Sequence, residues 1–124
     1  MLARLGIAVA ALAACAATGA LAAKRPATAV GVGEREFRIA VYRESVPPGP
    51  VRFNVTNRGE DRHDLVVRDR DGRELARTGE IPAGGQASLR VRLSAGTYRL
   101  RCDVADHARR GMRARIRVVR PSER

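Results

Sequence analysis

Residues 98–119 restrict the fold more than any other part of the chain. Tyr98, Leu100 and Cys102 alternate with Arg99 and Arg101, and Met112, Ala114, Ile116 and Val118 alternate with Arg113, Arg115 and Arg117. A period of two puts one set of side chains in a core and the other in solvent, the mark of a half-buried β-strand. Two such strands in close succession, joined by a short loop, are an antiparallel pair. Cys102, His107 and Met112 follow one another with four residues between each pair. Cys102 and Met112 take the core-facing register of their strands, and the loop carries His107. One loop therefore offers a thiolate, an imidazole and a thioether to a single soft metal ion.

The rest of the domain repeats the same period. Phe37, Ile39 and Val41 alternate with Arg38 and Ala40; Val51, Phe53 and Val55 with Arg52, Asn54 and Thr56; Leu89, Val91 and Leu93 with Arg90 and Arg92. Between these runs lie segments that helices do not tolerate. Val46-Pro47-Pro48-Gly49-Pro50 fits a turn or sheet corner. Asp71-Gly72 is a hairpin signal between residues 65–68 and 73–77. Ile81-Pro82-Ala83-Gly84-Gly85 and Ala95-Gly96 are further turns, and residues 57–62 form a polar loop around Gly59. Short strands with frequent turn signals predict an all-β, antiparallel β-sandwich over residues 30–120. Residues 23–29 read as a linker and 121–124 as a frayed tail.

The first 22 residues read as an export signal: Arg4, then an apolar run too short to span a bilayer. Ala20-Leu21-Ala22 suits cleavage after Ala22. Leu12-Ala13-Ala14-Cys15 suits a lipoprotein signal, which would leave Cys15 lipidated and make it the protein's one membrane anchor. Either reading places the mature protein in the periplasm or elsewhere outside the cytoplasm. Cys102 is then the one thiol of the fold, and no internal disulfide is available to it. The net charge of +11 falls to about +10 without Arg4. Such a charge suits acidic partners or anionic surfaces. Nucleic acid is disfavoured by export and by the scarcity of stacking rings, which are Phe37, Tyr42, Phe53 and Tyr98 alone.

Two histidines, one cysteine and a weak axial methionine form a ligand set suited to copper. The chain supplies His63 as the second histidine. Two stretches carry a family resemblance. Asn57-Arg58-Gly59 is followed shortly by His63-Asp64-Leu65-Val66-Val67; Tyr98-x-Leu100-x-Cys102 is followed by His107, Gly111-Met112 and a closing strand. In these the chain resembles the cupredoxins, the small blue copper proteins of the plastocyanin and azurin kind. The resemblance implies a Greek-key sandwich with one copper ion at one end. It implies His63, Cys102 and His107 as equatorial ligands, Met112 as the axial one, and single-electron transfer. Asn57, Asp64 and Asp106 are the expected neighbours of the ligands. Asp64 stands where the family commonly has an asparagine that ties two ligand loops, and Ala105-Asp106 where it often has Pro-Gly.

Arg109 and Arg110, with the strand arginines, are expected to steer an acidic redox partner to the His107 end. A copper chaperone or buffer using the same ligands is the first alternative, and a metal-free binding module another. An enzyme is not expected. The catalytic centres of copper enzymes with this fold need further histidines, and both of this chain's are assigned. The remaining acids are scattered and read as solvated.

Overall fold

The computed structural model describes residues 9–11, 13 and 25–123. Both cleavage readings of the leader, and Cys15 with them, lie outside the described residues. Among the described residues nine strands follow one another: β1 (Thr28–Arg35), β2 (Arg38–Val41), β3 (Ser45–Val46), β4 (Gly49–Asn57), β5 (Val66–Arg68), β6 (Glu74–Arg77), β7 (Gln86–Leu93), β8 (Gly96–Arg101) and β9 (Arg113–Val118). They form two sheets, in the orders β2-β1-β4-β7 and β3-β9-β8-β5-β6. No helix among the described residues is long and apolar enough to cross a membrane. Pro121–Glu123 forms a single 3-10 turn.

The sandwich is all-β as its patterning predicts, with one refinement. β1 pairs with β4, and β3 with β9, in parallel. Side-chain alternation is identical in parallel and antiparallel strands, so the pattern does not report direction. The chain crosses between sheets at residues 42–48, and that crossover lets neighbours in one sheet point the same way. β1 also opens at Thr28, because Thr28 and Ala29 pair with Val51 and Arg52, two residues ahead of the boundary that composition suggests.

The two inner faces meet in one core. Val30, Val32, Val51, Phe53 and Val55 come from the first sheet, and Leu65, Val67, Leu100, Ile116 and Val118 are on the side of the second. All of them are buried. Each contributes roughly 1.5–3 kcal/mol relative to exposure, which makes this cluster the main source of stability. β7 stands at a sheet edge and is looser, with Ala87, Leu89 and Val91 only partly covered. Two local devices set the register. At the β5–β6 turn, Asp69 Oδ1 accepts from the amides of Asp71 and Arg73, both at 2.9 Å. Before β8, the Tyr98 hydroxyl donates to the Ser94 carbonyl at 2.8 Å.

Candidate metal centre

The site lies at the end of the sandwich where β8 stops and β9 begins. Just past β8, the Cys102 amide donates to the Met112 carbonyl at 3.2 Å, which extends the ladder by one step and closes the mouth of the loop. Inside the loop the chain turns tightly. The His107 amide donates to Val104 O at 3.0 Å, and the Met112 amide to His107 O at 3.1 Å. Gly111 has a φ of 127°, and a Cβ there would press on the Phe37 carbonyl. Only glycine takes that backbone shape without strain.

His63 arrives from the first sheet. The loop after β4 is shaped by Asn57, whose side-chain amide donates to Asp61 O at 2.8 Å and Ile81 O at 2.9 Å while its Oδ1 accepts from the Gly59 amide at 2.9 Å. His63 then makes an isolated bridge with Ile81. It is fully buried, as are Cys102 and Met112, and His107 is 6 % exposed.

The three donor atoms form a compact triangle. His63 Nδ1 and His107 Nδ1 are 3.2 Å apart, and Cys102 Sγ lies 3.9 Å from the first and 3.7 Å from the second. A triangle with those sides has its centre about 2.1 Å from every corner. Imidazole and thiolate ligands hold a zinc ion at about 2.0–2.1 and 2.3 Å, so one metal ion fits within the triangle.

The outer edges of both rings decide their protonation. His63 Nε2 lies 2.9 Å from Glu36 Oε1, and His107 Nε2 lies 3.5 Å from Asp61 Oδ2. A carboxylate accepts, so the Glu36 contact favours the proton on His63 Nε2 and leaves His63 Nδ1 free to face the triangle. The two Nδ1 atoms face each other at 3.2 Å inside the buried triangle, close enough to share one cation. Glu36 is itself held as an anion. The Asp61 amide donates to it at 2.7 Å, and with the Glu60 amide and His63 it brings the carboxyl down to about 2. A Cβ at Gly59 would overlap that carboxylate and push the Glu36 side chain aside.

Burial pushes the Cys102 thiol up to about 11, against the hydrogen bonds it receives, including the Asp64 amide at 3.4 Å. Only a bound cation would make it a thiolate at neutral pH. Asp64 joins the two ligand-bearing segments, as its Oδ1 accepts from the Asp103 amide at 2.7 Å. The carboxylate thus makes this tie by accepting alone. Met112 is bonded through its backbone to both Cys102 and His107.

Among the described residues the Asp106 side chain makes no hydrogen bond or ion pair with a candidate ligand. Its carboxylate lies 3.8 Å from Arg110, across one turn of the loop. The outer ring edges are held instead by Glu36 and Asp61, which sequence reasoning did not select. No spacing rule links Glu36 to His63 across 27 residues of chain. Phe37 is a third such residue. Its ring meets that of His107 at 5.1 Å, and the Arg110 guanidinium lies 4.3 Å above it. Arg109 is exposed.

The acids are not all solvated. Glu34 is fully buried in register with Val30 and Val32, and neither oxygen has a partner among the described residues. Burial, and secondly the charge of Asp64, push its carboxyl up to about 8.

No family model and no curated protein sequence matches the chain. Solved structures do. Reduced auracyanin from the photosynthetic bacterium Roseiflexus castenholzii superposes with a TM-score of 0.65 at 18 % identity, over 75 % of this chain and 98 % of that one. An azurin from Methylomonas sp. strain J gives 0.63 at 16 % identity, over 76 % and 99 %. A copper-containing nitrite reductase from Thermus scotoductus gives 0.58 at 14 % identity, over 76 % of this chain but 31 % of its own. The chain has the cupredoxin fold.

Proposed function

We propose that this protein holds one copper ion between His63, Cys102 and His107, with Met112 as a weak axial ligand, and carries single electrons between redox partners. The observation that supports this most is the triangle of two inward ring nitrogens and one sulfur, sized for a single ion. The donor set favours copper over zinc. Structural zinc takes four strong N, S or O ligands, whereas this site offers three and a thioether. Copper, when bound, supplies a one-electron couple between Cu(I) and Cu(II).

The chain's own residues make that couple fast. Thiolate and thioether suit Cu(I), and imidazoles suit Cu(II), so neither state demands a different geometry. The two backbone-locked loops and the Asp64 tie resist rearrangement. Glu36 and Asp61 orient the rings and make them more basic. Burial favours a carrier over a chaperone, since ligands this covered offer a second copper acceptor no open approach. Both histidines of the chain lie in the triangle, which leaves none for a second, catalytic copper centre.

Electrons leave by the His107 edge, against which Phe37 packs, and Arg109 with Arg110 draws an acidic partner there. The protein works outside the cytoplasm, after export by its leader. The decisive experiment loads copper and cycles it between oxidation states in the presence of a chelator. A carrier keeps its ion through repeated cycles; a chaperone yields it to the chelator. Electron transfer to an acidic partner falls steeply with ionic strength, and a flat salt response would remove the steering role.

A further inference from the structure

We propose that the outer face of β8 and β9 is a docking surface for an anionic lipid bilayer. Arg99, Arg101, Arg113, Arg115 and Arg117 all project from that face. Register makes the arrangement costly. Arg99 stands directly opposite Arg115, and Arg101 opposite Arg113. Like charges paired across strands destabilise a sheet. Two successive rungs on this one face break that rule, which points to a functional surface. Among the described residues one ion pair relieves the ladder, Arg101 with Asp103 at 3.1 Å. The other four arginines have no carboxylate within reach there. Arg99, Arg101, Arg113 and Arg115 line an open groove of about 570 Å³.

The form of the patch selects its occupant. A specific protein interface has an apolar, often aromatic centre depleted of charge. This face has none. The exposed large apolar side chains among the described residues are Val9, ahead of the domain, and Tyr42, which lies against Gly31 and Gly33 on the other sheet. What remains is a two-dimensional array of arginines, their Cα atoms about 7 Å apart along each strand and about 5 Å across. A linear polyanion meets one row of such an array, whereas a lipid surface presents phosphates in two dimensions. Guanidinium forks match those phosphates bidentately.

The orientation serves an electron carrier. Arg101 and Arg113 adjoin Cys102 and Met112, and the ladder runs from there along the strands to Arg117. Docking on this face lays the strands along the bilayer and points the His107 end sideways, toward a partner set in the same membrane.

The test is co-sedimentation of the copper-free full chain with vesicles of phosphatidylcholine alone or with added phosphatidylglycerol. Leaving copper out separates this proposal from the one for the metal site. The chain binds the anionic vesicles in preference, and added salt releases it. The triple variant Arg99→Gln, Arg113→Gln, Arg115→Gln binds them roughly 100-fold more weakly, at about a tenfold loss per 1.4 kcal/mol and 1 kcal/mol per residue. The double variant Arg90→Gln, Arg92→Gln on the opposite sheet binds nearly as the parent, because packed sheets stand about 10 Å apart, beyond a Debye length of about 8 Å. Equal binding by parent and triple variant, or equal losses in both variants, overturns the proposal. Ladder-dependent binding to polyglutamate without ladder-dependent binding to vesicles overturns it too, and assigns the face to an acidic protein.

Discussion

Replacing Glu34 with glutamine changes the shape of the stability curve with pH, and the change can be worked out from its surroundings. The carboxyl is raised from 4.5 to about 8, first by burial and then by Asp64. The folded protein therefore keeps this proton to higher pH than the unfolded chain does. The stability Glu34 contributes is complete below 4.5 and is lost as the pH climbs toward 8. At 1.36 kcal/mol per pH unit, the loss is about 1 kcal/mol at pH 5, about 3 at pH 7, and levels off near 5 above pH 9. Glutamine has nearly the same shape and does not titrate. The stability of Glu34→Gln minus that of the parent should rise by roughly 2–3 kcal/mol between pH 5 and pH 7. Urea unfolding of the copper-free proteins at several pH values measures this, and any constant offset from the amide cancels in the slope. Parallel curves would refute the reasoning, since they would mean that the carboxylate finds solvent or a partner in the folded state.

Other outcomes follow from the same geometry. Glu36→Gln replaces an anion at the His63 Nε2 with a neutral acceptor, so a copper-loaded centre should become easier to reduce, which voltammetry reads as a higher potential. The same substitution should remove an acid-labile contribution to stability, because the depressed Glu36 carboxyl stabilises the fold above about 4.5 and loses that effect as the pH falls toward 2. Gly59→Ala displaces the Glu36 carboxylate from the Glu60 and Asp61 amides; these bonds are exposed, so the cost in urea unfolding should be at most about 1 kcal/mol. Copper(II) added to unbuffered protein near pH 7 should release about one proton per ion, from a Cys102 thiol otherwise neutral there.

Much of this architecture was legible in the chain because a β-sandwich writes its core as a period of two. The β8–β9 pair is the clearest case: the predicted faces of Tyr98, Leu100, Ile116 and Val118 are the buried ones. The donor triangle was legible because two of its members, and Met112, flank or lie within a single loop. Contacts that span the fold without a spacing rule were not. Glu36 and Asp61 meet the ligand rings through turns whose placement depends on the folded sandwich. Strand direction was hidden, since parallel and antiparallel strands alternate alike. Glu34 shows a signal that was present and passed over. It continues the Val30, Val32 register, so alternation alone points it inward; treating acids as solvated by default obscured this. Asp106 is the converse case, a residue next to a ligand in sequence that the turn of the loop directs to Arg110.

The visible spectrum of the purified protein after addition of one equivalent of copper(II) tests the central claim most directly. An intense thiolate-to-copper charge-transfer band is expected, present in the parent and lost in Cys102→Ser. A colourless product, or a band that survives in Cys102→Ser, would contradict a copper centre built on His63, Cys102 and His107.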